Sequence, residues 1–94
     1  MSHTVYCVFG RGQWHLCFTR HKAETYWNAT REILLEVPCH KMPPNTISLH
    51  GLLTDYVEQE QLPILLAIFQ GLAWGNGGLR ATAINTITRL LEAT

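Results

Sequence analysis

Lysine is scarce in this 94-residue chain, with only Lys22 and Lys41 present. Arginine brings the basic total to seven, balanced by seven acidic residues, and neither sign forms a block. A protein that grips a phosphate backbone needs clustered cations to displace counterions, and docking on anionic lipid needs the same, so both are disfavoured. Charged residues make up 15% of the chain, against about 25% in a typical soluble domain. A small domain exposes proportionally more surface and should carry more charge, not less. Part of this surface is therefore expected to be covered by another chain.

No apolar run is long enough for a membrane span. The longest, LPILLAIFQGLAW at 62–74, falls short of the roughly 18 residues required. No basic region followed by a long apolar run opens the sequence (MSHTVYCVFGRG), so no secretory signal is expected. The three cysteines, Cys7, Cys17 and Cys39, cannot all pair with one another. Free thiols and a reducing, cytoplasmic location follow. The sequon Asn28-Ala29-Thr30 would not be modified there.

What is present reads as a single α+β domain over 1–94. TVYCVF and QWHLCFT, either side of Gly10-Arg11-Gly12, are rich in β-branched and aromatic residues and predict a β-hairpin over 3–19. A two-residue loop pairs Phe9 with Trp14, Cys7 with Leu16 and Val5 with Phe18, placing these six apolar residues on one face. Thr4, Tyr6, Val8, His15, Cys17 and Thr19 take the other. A three-residue loop would set an apolar face against a mixed one. Cys7 and Cys17 then lie on opposite faces, which argues against a disulfide between them.

The periodicity of 21–37 predicts an amphipathic helix with Ala23, Tyr26, Trp27, Thr30, Leu34 and Val37 on its apolar stripe, ended by Pro38. A proline-rich loop occupies 38–47, and a helical half spans 49–92. Ser48 is placed to cap the first helix of that half, although TISLH could instead form a third strand. Pro63 suits the first turn of the next helix, and Gly75-Asn76-Gly77-Gly78 should stop it. Leu79, Ala83, Ile84, Ile87, Leu90 and Leu91 stripe the last. The expected fold is an N-terminal antiparallel hairpin, extended by a third strand or across a dimer, with three to four helices on one face of the sheet.

The 62–74 helix is apolar all round, with Gln70 its one polar residue. Such a helix wants burial on every side. It is either a central core helix or, in part, a seam for a second chain. The scarcity of charge and the two open edges of a bare hairpin favour the seam. Phe69, Leu72 and Trp74 are its candidate anchors, and Tyr6, His15 and Cys17 on the mixed hairpin face form a second candidate surface.

Motifs for chemistry are weak. Cys39-His40-Lys41-Met42 gathers soft-metal ligand types, so Cys39, His40 and Met42 are a weak metal alternative, but the spacing matches no standard zinc pattern. Cys17 with His15, or Cys39 with His40, lacks a third orienting group for nucleophilic catalysis. In outline 62–74 and 79–92 resemble a helix-turn-helix, with Arg80, Asn85 and Arg89 able to read base edges, yet the cations that hold DNA backbone are missing. The expectation is a non-enzymatic protein-binding module (an adaptor, accessory subunit or inhibitor) that self-associates, most simply as a dimer. No cofactor and no membrane partner are expected.

Overall fold

The computed structural model describes residues 3–10, 13–30, 33–71 and 77–93. Strands β1 (His3–Gly10) and β2 (Gln13–Cys17) form the predicted hairpin. Cys7 pairs with Leu16 and Phe9 with Trp14, while Gly10 opposite Gln13 closes the two-residue loop. The Val5–Phe18 pair is not made, because β2 ends at Cys17, and Phe18 is 38% exposed.

Helix α1 spans Arg20–Thr30, and Thr19 Oγ1 accepts from the Lys22 N–H at its start. It is shorter than the helix expected over 21–37. The rest of that segment is a third strand, β3 (Ile33–Cys39), antiparallel to β1 on the side away from β2. ILLEVPC carries β-branched Ile33 and Val37, and at period two Ile33, Leu35, Val37 and Cys39 share one face. That face joins the one bearing Val5, Cys7 and Phe9. Leu34, on the other face, still packs with Ala23 and Trp27 as the helical stripe required, but from the sheet.

Pro38 therefore sits inside an edge strand and ends no helix. Its carbonyl accepts from the Glu58 N–H at 3.2 Å, and the His40 N–H donates to the Tyr56 carbonyl at 2.9 Å. The N and C=O of one strand residue point to the same side, so the nitrogen of Pro38 faces outward too. Its missing N–H costs β1 no hydrogen bond. The Cys39–Val57 bridge covers this edge.

Ser48 is the cap of helix α2 (Leu49–Asp55): its Oγ accepts from the Gly51 N–H at 3.0 Å. Residues 46–50 are thus a helix start and not a strand. Val57, beyond the end of that helix, bridges Cys39. A short 3₁₀ turn, Gln59–Gln61, leads into α3 (Leu62–Gly71), with Pro63 in its first turn. Residues 72–76 lie outside the described residues. Gly77 and Gly78, expected to stop a helix, open α4 (Gly77–Glu92).

The helices do not all lie on one face. Val5, Cys7, Phe9, Val37 and Cys39 pack against Leu52, Leu53, Leu65, Phe69, Ala83 and Ile87 from α2, α3 and α4. On the opposite face Val8 and Cys17 pack against Ala23 of α1. The sheet is the middle layer of three. Phe9 lies at the centre of the larger core, edge-on to Phe69 with ring centroids 5.8 Å apart and stacked on Trp14 at 6.1 Å.

Candidate functional site

The hydrogen bonds at Pro38 and His40 fix the phase of the whole sheet. Even-numbered residues of β3 turn their backbone groups outward, so odd ones bond to β1. Val5, Cys7 and Phe9 therefore face β3, and Tyr6, Val8 and Gly10 face β2. In the register of the hairpin, Gln13, His15 and Cys17 return those bonds. The N–H and C=O groups of Trp14 and Leu16 are left pointing away from the sheet. Among the described residues nothing pairs with them, because β2 is an outer strand bonded to β1 alone.

A hollow of about 300 Å³ lies against this edge. It touches Trp14 and Leu16 from one face of β2 and His15 and Cys17 from the other, so it must lie at the strand's edge. β1 fills the inner side, which leaves the outer. Lys22 and Tyr26 of α1, Phe18 and Asn45 complete the lining. The His15 ring stacks on Tyr26 at 4.2 Å with the planes 13° apart. Among the described residues Lys22 is the only formally charged group in the lining.

The candidate residues from sequence fall in different places. The mixed hairpin face is not a free surface, since α1 covers it: Cys17 is 2% exposed within the Val8–Ala23 cluster, and Tyr6 is half-buried against it. His15 and Cys17 border the hollow beside β2, His15 through its stack on Tyr26, and Tyr6 does not. Phe69 is 2% exposed in the core of its own chain. It cannot anchor a second chain, because the inward face of α3 is spent on Phe9. Leu72 and Trp74 lie outside the described residues. What α3 does present is Ile64, 53% exposed, beside exposed Ala67.

Cys39, His40 and Met42 do not converge. Cys39 is buried beneath the sheet with its Sγ 3.7 Å from the Val37 carbonyl, because odd residues of β3 face the core. His40 is exposed and lies parallel to the Tyr56 ring at 6.3 Å, and Met42 is 48% exposed. Among the described residues no three His, Cys, Asp or Glu side chains gather as a metal site. Burial pushes the Cys39 thiol up to about 11, with Glu58 adding to the effect. Burial also raises Cys7, reinforced by Cys39 and Cys17, and raises Cys17 against the opposing pull of Lys22. All three cysteines are free and buried. A thiol held protonated is a poor nucleophile.

Arg80 is committed elsewhere. Its Nε donates to the Phe69 carbonyl at 2.9 Å and its Nη2 to the Gln70 carbonyl at 3.0 Å. These are carbonyls of the last turn of α3, where a cation meets the negative end of the helix dipole. A guanidinium so occupied is not free to read a base edge. Asn85 and Arg89 remain exposed.

The open β2 edge is the feature that residue-by-residue reading ranked too low. Its signal was present: QWHLC has no Lys, Arg, Asp, Glu or Pro. A second hollow, about 450 Å³, lies between α1 and β3 beside Trp27 and Leu34. Its rim is an exposed arginine pair, Arg20 with Glu24 at 3.0 Å and with Glu36, and it brings no reactive group together. Among the described residues no helix is long and apolar enough to cross a membrane. No family model, no curated protein and no solved structure matches the chain.

Proposed function

We propose that this chain is a small, non-enzymatic protein-binding module of the cytoplasm, acting as an adaptor, accessory subunit or inhibitor. It engages an extended strand of another polypeptide along β2. The observation that carries this reading is the uncharged β2 edge, whose Trp14 and Leu16 backbone groups border a hollow lined by aromatic side chains. Main-chain hydrogen bonds give affinity in strand addition, and pockets for alternate side chains give selectivity. Three unpaired thiols favour a reducing compartment.

The test is comparative capture from cell extract with the wild-type chain and with Leu16→Pro as baits. Proline at 16 removes an outward N–H and leaves the bonds to β1 intact, as Pro38 does on the opposite edge. A protein retained by the wild type and lost with Leu16→Pro is the expected result. Identical sets of retained proteins refute the reading.

A further inference from the structure

We infer that the strand received at this edge is β2 of a second copy, paired antiparallel about a two-fold axis through His15. The inference rests on the strand-addition reading above and specifies its occupant.

The argument begins with phase. Trp14 and Leu16 both turn their N–H and C=O groups outward, and they flank His15 symmetrically. With His15 opposite its own symmetry mate, Trp14 of each copy faces Leu16 of the other. Each of those two pairs exchanges two hydrogen bonds, so four backbone bonds form and every outward group of Trp14 and Leu16 in both copies is satisfied. A one-residue shift would put the inward-bonded groups of His15 opposite outward ones and lose this match.

Side chains agree with that register. Trp14 and Leu16 are half-buried on the core side of the sheet, so each apolar residue meets another across the axis. Gln13 meets Cys17, and His15 meets His15. No formal charge opposes another, because β2 contains none. Exposed Phe18 and Tyr26, at 38% and 37%, flank the same edge and gain cover. A three-stranded sheet becomes a continuous six-stranded one.

The two edges of the sheet provide an internal comparison. Sheet edges that stay single are blunted by proline, lysine, bulges or a covering segment. β3 carries Pro38 and is covered by Tyr56, Val57 and Glu58. β2 itself carries no such device, and the one lysine bordering it, Lys22, belongs to α1.

The experiment is mass in solution, by light scattering or sedimentation over a concentration series, for the full chain and two variants. The wild type should be a concentration-dependent dimer. Leu16→Pro should be a monomer that still unfolds cooperatively, at a somewhat lower Tm because it loses the partner strand and part of the leucine packing. Because proline could also harm the fold, His15→Cys gives a second readout. Residues facing each other in a non-hydrogen-bonded pair have Cα atoms about 4.5 Å apart, within disulfide range. Mild oxidation should cross-link His15→Cys as a dimer through position 15, with the buried thiols spared. A wild-type monomer at every concentration, with no cross-link at 15, overturns the inference. So does a dimer that survives Leu16→Pro but is lost with Ile64→Asp, since its seam would lie on α3. If the chain is monomeric yet still captures another protein in a Leu16-dependent way, the binding reading stands and the second-copy assignment alone falls.

Discussion

Replacing Phe69 with alanine separates the two meanings of the apolar helix most sharply. Phe69 is 2% exposed and meets Phe9 edge-on at 5.8 Å. Removing a buried phenylalanine costs about 3–5 kcal/mol, from lost transfer energy and the cavity left behind. About 0.5–1.5 kcal/mol of that is the aromatic pair itself. Marginal stability of 0.05–0.15 kcal/mol per residue puts a chain of this length at about 5–14 kcal/mol. The substitution would therefore remove about a fifth of the total or more. In a domain of this size each kcal/mol moves Tm by about 4–8 °C, so a fall of at least ~12 °C is expected. Urea denaturation followed by circular dichroism should show a lower midpoint at unchanged slope. Ile64→Ala is the control, since Ile64 is 53% exposed on the same helix, and its cost should stay within about 0.5 kcal/mol. The reasoning fails if Phe69→Ala melts within a few degrees of the wild type. It fails equally if that variant changes only the mass in solution.

Other substitutions test the local devices. Arg80→Leu strips two hydrogen bonds from the carbonyls of α3 and should cost about 1–3 kcal/mol in urea denaturation. Arg80→Lys should recover less than half, because a point charge cannot span both carbonyls as a planar fork does. Ser48→Ala removes the cap on Gly51 and should cost about 0.5–2 kcal/mol by the same assay, with Ser48→Asp near the wild type. The three buried thiols should react with a disulfide reagent far more slowly in the native protein than in urea, measured by absorbance at neutral pH. Cys39 also predicts an alkaline limit. Its thiol is raised from 9.0 to about 11 in the fold, so the unfolded chain loses that proton first. The contribution is present in full below pH 9 and lost as pH rises through 11. Tm should fall over that window, and less steeply in Cys39→Ala.

The hairpin register was legible because a strand has period two, and the wrong loop length sets unlike faces together. Cys7–Leu16 and Phe9–Trp14 follow from that parity alone. The cap at Ser48 and the stripe of α4 were legible for similarly local reasons. Residues 33–39 were not. ILLEV satisfies a helical stripe through Leu34 and Val37 and a strand face through Ile33, Leu35 and Val37. What decides between them is non-local: β1 has a second edge that needs a partner, and pairing there buries Val37 and Cys39 and packs Ile33 and Leu35 against the core. Local propensity carries no trace of that partner. Assigning the functional surface met the same limit on α3. Phe69 and Ile64 are equally apolar in sequence, but one faces Phe9 and the other faces solvent. A helix apolar on all sides has no polar face to orient it, so its inward side is set by what it packs against.

The sheet edges link the composition of the chain to its proposed activity. Sparse charge is what a surface covered by another polypeptide would carry, and the most apolar segment is one candidate for that surface. The buried side of that segment is satisfied within the chain by Phe9, Leu52 and Ile87. A scarcity of charge matters most where charge would otherwise protect, and a sheet edge is such a place. Val57 and Pro38 close one edge by covering it and by removing a donor. The other edge, five residues without a formal charge, keeps the outward hydrogen-bonding groups of Trp14 and Leu16 beside half-buried apolar side chains. Burying those groups unpaired would be costly, and a flat apolar surface could not satisfy them. An extended strand satisfies both the hydrogen bonds and the side chains, and the symmetry of Trp14 and Leu16 about His15 makes β2 itself such a strand.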